Sequence, residues 1–212
     1  MDYSTLDLKA DGHQQDSCSV TIQAVARLLG REVDYETMLA LSGNGFAPAL
    51  RTDESCTAWW QMYGREKGLD IVGRALGLDI RRLPLPEFKG NGRSPDDLAK
   101  HNQACAVIIR EALARGEAVV TSGGWKAWGP HGLCPWCWWG VVLEAREDGT
   151  VLVACLNGFR DNPIEGVCAC WSVTLRDPTL SAEAIRRGVL ERAVARVRGD
   201  REPFIGKDIQ YG

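Results

Sequence analysis

No apolar run in the chain approaches the roughly 18 residues that a membrane-spanning helix requires, so nothing in it reads as a transmembrane segment. The opening Met1-Asp2-Tyr3-Ser4 lacks the basic and apolar regions of a secretory signal, and a cytoplasmic location is expected. An excess of positive charge is also missing. Lys and Arg number 25 against 28 Asp and Glu, a net charge of −3, which removes the broad electrostatic footprint of a nucleic-acid binder. There is no internal repeat, no low-complexity tract, no strand-helix-strand alternation and no glycine-rich phosphate loop, so a nucleotide-binding parallel sheet is excluded. Histidine is scarce: His13, His101 and His131 are the only imidazoles the chain can bring to any chemistry.

What is present points to a packed domain. A chain of 212 residues buries about 70% of its unfolded surface and needs neither disulfide nor metal merely to fold. Its eight cysteines, at 18, 56, 105, 134, 137, 155, 168 and 170, therefore read as reduced thiols, some in the core and some reactive or metal-binding. Asp16 and Ser17 suit the cap of a first helix, with Cys18, Ile22, Val25 and Leu29 on one face and Gly30 as its stop. Asp34 opens a second helix, and helices are expected over 57–68 and 71–76, followed by a short strand over 80–83. Ser94-Pro95-Asp96-Asp97 starts a long helix, with a capping Ser, Pro at the first position and acids in the first turn. In it Leu98, Cys105, Ile108, Ile109 and Leu113 share one side, and His101 reads as a surface residue.

After Gly116 the pattern turns to strands, over 118–121, 138–145, 150–156 and 170–175, the middle two forming a hairpin about Asp148-Gly149. A helix over 181–198 follows, and the tail from 199 to 212 carries no clear pattern. Helices first and antiparallel strands second is an α+β signature. The expected division is a main domain over 1–176 and a C-terminal helix and tail over 177–212.

Cys18 stands where exposed helix N–H groups and the helix dipole favour a thiolate, and where the same N–H groups can hold an oxyanion. A core thiol packed beneath Ile22 is the alternative. Asn157-Gly158, after the apolar run that ends at Leu156, stands where a third catalytic member would follow a strand, or is an ordinary turn.

Asp16-Ser17-Cys18, the helix ending in Leu28-Leu29-Gly30, then Tyr35 and Leu41-Ser42-Gly43, with Trp139-Gly140-Val141-Val142 and the hairpin after it, resembles the papain-like cysteine peptidase superfamily over roughly residues 12–175. The nearest branch is that of the double-glycine-leader (bacteriocin-processing) peptidases and the N-terminal domain of butirosin biosynthesis protein H. The resemblance implies a papain-like fold, Cys18 as nucleophile, Asn157 as the group that orients the base, Gln14 as oxyanion donor, and peptidase, amidase or acyltransferase chemistry. Two departures stand out. Gln14 lies four residues before Cys18, where the family glutamine usually lies about six before. The family histidine falls at Trp138 or Trp139, which take no proton. His131, on the preceding loop, has the right order to replace it; otherwise the triad is incomplete and the fold is a binding module.

Cys134-Pro-Trp-Cys137 could be a redox pair, half a zinc site with Cys168 and Cys170 (His131 a substitute ligand) that would make the chain a zinc-stabilised structural domain, or two neighbouring thiols in a tryptophan-rich wall. The expectation is no zinc and no cofactor. Trp125, Trp128, Trp136, Trp138 and Trp139 crowd one segment, with Trp59 and Trp60 earlier. They read either as core or as an aromatic cleft, in which Trp59, Trp125, Trp138 and Trp139 bind substrate. The partners expected are a small-molecule or peptide substrate, with no nucleic acid and no membrane; self-association is left open.

Overall fold

Helix ends follow from local chemistry. The first helix, α1 (Ser17–Leu28), stops at Gly30, whose φ of 76° suits a residue without a Cβ. There the Gly30 N–H reaches the Arg27 carbonyl at 2.9 Å and the Arg31 N–H that of Ala26 at 2.8 Å, the paired bonds of a Schellman close. Asp34 caps α2 (Tyr35–Ser42) by accepting the Thr37 N–H at 2.6 Å, and this bond holds its carboxyl below the ordinary range.

The computed structural model describes residues 1–6, 8, 17–42, 49–51, 65–86, 95–122, 139–155, 159–163, 167, 169–197, 202–204 and 207–211. After α2 come β1 (Ala49–Arg51), α3 (Arg65–Leu76), β2 (Leu78–Arg82) and α4 (Pro95–Ala114). The strands β3 (Ala118–Ser122), β4 (Trp139–Ala145), β5 (Val151–Cys155), β6 (Phe159–Pro163) and β7 (Ala169–Leu175) follow. The chain closes with α5 (Ala182–Val197), β8 (Glu202–Phe204) and β9 (Lys207–Tyr211). This is an α+β architecture.

Six strands form one antiparallel sheet in the order β2-β7-β3-β4-β5-β6. Its two faces are covered by different helices. Ala118, Val120, Trp139, Val141, Trp171 and Val173 join α1, α2 and α3 in one core. Their neighbours along the strands, Val119, Val142, Val153 and Cys170, join Cys105, Ala106, Ile109 and Ala112 of α4 in another. Burial on both faces explains why β5 is buried at all five positions rather than alternating.

Several elements depart from expectation. Helix α3 runs unbroken from 65 to 76 where two helices were anticipated, because Leu69 and Val72 turn to the same core and no breaker separates them. Positions 57–64 lie outside the described residues. Strand β6 was not anticipated. It is a sheet edge, where Asp161, Asn162 and Pro163 are tolerated because one side needs no ladder partner. The tail, which carried no pattern, forms β8 and β9, with β9 pairing to β1.

A strap over 176–180 ties α5 to the core. The Arg176 N–H bonds the Gly77 carbonyl at 2.9 Å, and the Thr179 N–H bonds that of Arg74 at 3.0 Å. Gly77 has a φ of 68°, and a Cβ there would lie 2.6 Å from the Arg176 carbonyl oxygen. Gly30 shares the backbone strain, but a Cβ on it would meet nothing within 4 Å. Gly30→Ala should therefore cost about 1 kcal/mol from the left-handed backbone alone, whereas Gly77→Ala should cost about 2–4 kcal/mol by adding a steric term. Urea unfolding of both variants measures the difference; equal costs would mean that the strap yields freely.

Candidate functional site

Ser17 begins α1, and its hydroxyl is spent on the sheet rather than on its own helix. Its Oγ accepts the backbone N–H of Trp139, the first residue of β4, at 3.1 Å in a buried bond. Cys18 follows, 2% exposed, in the core with Ile22, Val25 and Trp171. Cys18 lies in the first turn of α1, at the positive end of the helix dipole.

The strand register defines the surroundings of this point. Trp139 lies opposite Ser122, the last residue of β3, and Ser122 lies opposite Ala169, the first of β7. Gly140 lies opposite Cys155, the last of β5. The Cys18 end of α1 is thus joined to the sheet end where β3 and β5 stop and β4 and β7 begin. His131 lies in sequence between β3 and β4, and Asn157 two residues after β5. His131, Asn157, Gln14, Trp59, Trp125 and Trp138 lie outside the described residues, as do Cys134, Cys137 and Cys168.

Trp139 itself is 2% exposed, and its ring stacks on Trp171 with centroids 4.5 Å apart and planes 19° from parallel. Such a pair adds about 0.5–1.5 kcal/mol beyond the area it buries. Trp139 is a core residue on the α1 side of the sheet, so it does not line an open aromatic cleft.

His101 is not on the surface. It is 8% exposed, because it stands four and eight positions before Cys105 and Ile109 and shares their core-facing side of α4. Its Nε2 lies 2.8 Å from the Val167 carbonyl oxygen and 3.4 Å from the Cys105 Sγ. A carbonyl can only accept, so Nε2 carries the proton and donates it. Next to it the Asn102 Oδ1 accepts the Val167 N–H at 3.2 Å. Two adjacent side chains of α4 thus hold both backbone polar groups of Val167. Val167 and Cys105 belong to the core on the α4 face, and Cys18 to the core on the other. The sheet lies between them, and His101 is no base for Cys18.

Cys105, Cys155 and Cys170 are buried, and with Cys18 none is in a disulfide. Cys170 packs on the α4 face. Among the described residues no group of three or more His, Cys, Asp or Glu side chains is arranged to hold a metal ion. No described helix is long and apolar enough to cross a membrane. No family model, no curated protein and no solved structure matches the chain.

Burial pushes the Cys155 thiol from 9.0 up to about 11. The unfolded thiol loses its proton first as pH rises, so the unfolded state is favoured increasingly between those two values. Cys155 should resist iodoacetamide at pH 8 in the folded protein, and stability should fall between pH 9 and about 11. Replacing Cys155 with Ala should flatten that part of the stability curve, which urea titrations at each pH would measure.

Proposed function

We propose that the chain is a papain-like α+β domain whose Cys18 thiol attacks the carbonyl of an amide, peptide or thioester bond in a small molecule or peptide. His131 takes the thiol proton and later delivers it to the leaving group. Asn157 orients the imidazole, and Gln14 joins the N–H groups at the start of α1 in holding the oxyanion. Acyl transfer to water gives hydrolysis; transfer to another nucleophile gives an acyltransferase. Trp59, Trp125 and Trp138 form the proposed wall for the substrate, while Trp139 backs the site from the core.

One observation carries this reading. A cysteine at a helix start is hydrogen-bonded, through its neighbour Ser17, to the end of an antiparallel sheet from which the His131 and Asn157 segments depart. A second reading is supported by the stacked Trp139. With an indole at the strand position of the expected base, the same fold would be a binding module without turnover. It would take an apolar ligand with no covalent adduct.

The first reading expects Cys18 to alkylate fastest of the eight thiols at pH 7, as read by mass-spectrometric mapping of substoichiometric iodoacetamide labelling. His131→Ala should slow alkylation and cut turnover of thioester or amide substrates by about 10²–10⁴-fold. Preferential labelling of Cys134 or Cys137, or a His131→Ala variant that alkylates at the wild-type rate, would remove Cys18 and His131 from these roles.

A further inference from the structure

The six-stranded sheet ends in two strands of unlike build. At one edge β6 carries Pro163, and its register against β5 shifts between Val153 and Cys155. Both features blunt an edge against further pairing. At the other edge β2 contains no proline and runs along β7 in unbroken register, from Leu78 opposite Leu175 to Arg82 opposite Trp171. Its backbone directions are fixed from both ends. The Arg176 N–H donates to the Gly77 carbonyl at 2.9 Å, and the Leu83 N–H to the Cys170 carbonyl at 2.9 Å. Alternate residues of an antiparallel strand turn their backbone groups to opposite sides. Residues 77, 79, 81 and 83 therefore turn theirs toward β7, and Ile80 turns its N–H and C=O to the outer edge. The Ile80 side chain is half-buried against the α1-side core. Asp79 and Arg81 stand on the opposite face, 2.8 Å apart as an ion pair, with side chains 30% and 66% exposed. The Leu78 carbonyl lies close against α3, where a Cβ on Gly73 would come within 2.6 Å of it. Ile80 is thus the centre of the edge that remains.

We propose that β2 is the docking edge for a second copy of this chain, the two β2 strands pairing antiparallel about a two-fold axis at Ile80. The occupant is chosen by charge. With Ile80 opposite the second copy's Ile80, Asp79 of each copy stands opposite Arg81 of the other, on the same face of the joined sheet. Opposite charges directly across a strand pair stabilise it, and like charges oppose it. The two Ile80 residues both turn their backbone groups outward, so they exchange both N–H···O=C bonds, and their side chains meet on the α1 face. Neighbouring registers lack this match. An axis at Arg81 sets two guanidinium groups against one another, and an axis at Asp79 two carboxylates. Either also brings together backbone groups that already face β7. The contact uses the same patch on both copies, so it closes at a dimer. It stands independently of the chemistry proposed for Cys18.

Sedimentation velocity of the full chain across a concentration series reads the association. The wild type should show a reversible monomer–dimer equilibrium. Asp79→Arg sets the new side chain against Arg81 of the other copy, and Arg81→Asp sets the new one against Asp79. Each variant alone should weaken the dimer by about tenfold or more. An equimolar mixture of the two should recover the dimer, because every opposed pair is then one acid and one base. The double variant Asp79→Arg with Arg81→Asp should recover it by itself. Recovery also shows that neither single variant has merely failed to fold. Ile80→Pro removes the outward N–H and leaves the β7 ladder its bonds, and should abolish association. A wild type that stays monomeric at every concentration, or that grows into open multimers, would overturn the proposal. So would a dimer that survives Asp79→Arg, Arg81→Asp or Ile80→Pro undiminished, or a failure of either the mixture or the double variant to restore it.

Discussion

The enclosure of α1 on every side along Ser17–Ala26 governs the rest of the structure. Ten consecutive residues, from Ser17 to Ala26, are buried, so that stretch of the helix has no solvent face on which to place polar groups. Four of the ten are nevertheless polar: Ser17, Ser19, Thr21 and Gln23. A buried polar group without a partner costs about 1–3 kcal/mol, so each such residue must find one. The Gln23 Nε2 donates to the Val33 carbonyl at 3.0 Å, and Ser17 accepts from Trp139. These bonds run in opposite directions along the helix, one to the turn that leads into α2 and one to the sheet. Apolar burial drives α1 into the interior; the polar bonds select its rotation and its height. The site of Cys18 is a consequence of that selection.

The sheet divides the molecule chemically as well as structurally. Residue by residue, β3, β4 and β7 send alternate side chains to the α1 face and to the α4 face, so thiols on neighbouring strand positions meet different company. Cys105 and Cys170 lie with α4, where the one described imidazole is already committed to a backbone carbonyl. Cys18 lies on the other face. Surface charge adds little to this arrangement. Pairs such as Arg27–Glu32, Arg74–Asp70 and Arg187–Glu183 are exposed and worth about 0–1 kcal/mol each.

Much of this was legible in the residues. The Gly30 stop, the Asp34 cap, the Pro95 start and the hairpin about Gly149 carry their information locally, and each element appears within a residue or two of its expected place. Elements whose reason is not local were missed. Strand β6 owes its existence to the free edge of β5, and β9 to β1, a segment more than 150 positions away, so neither has a pattern of its own. His101 was misread because a histidine in a helix scores as polar. The signal that could have placed it was its spacing of four from Cys105 and eight from Ile109. The all-round burial of α1 was likewise hidden: its apolar residues mark one face, and only the tertiary structure covers the others. At the site, Cys18 was legible from its place at a helix start. Its bond to the sheet through Ser17 was not, because the partner is a backbone N–H 122 positions away.

The stacking of Trp139 on Trp171 bears on where a base can come from. Those two rings fill the core beneath the start of β4, and the strand position closest in register to the helix start is thereby given over to packing. An indole donates a hydrogen bond and accepts none, so it cannot relieve a thiol of its proton. In the proposed reading the base is therefore supplied by His131, which lies eight residues before Trp139 in sequence. That arrangement separates two demands that a strand histidine would have to meet at once, a ring that packs and a ring that titrates. A core position excludes water and penalises charge, whereas the acid–base partner of a thiol must carry charge during each cycle.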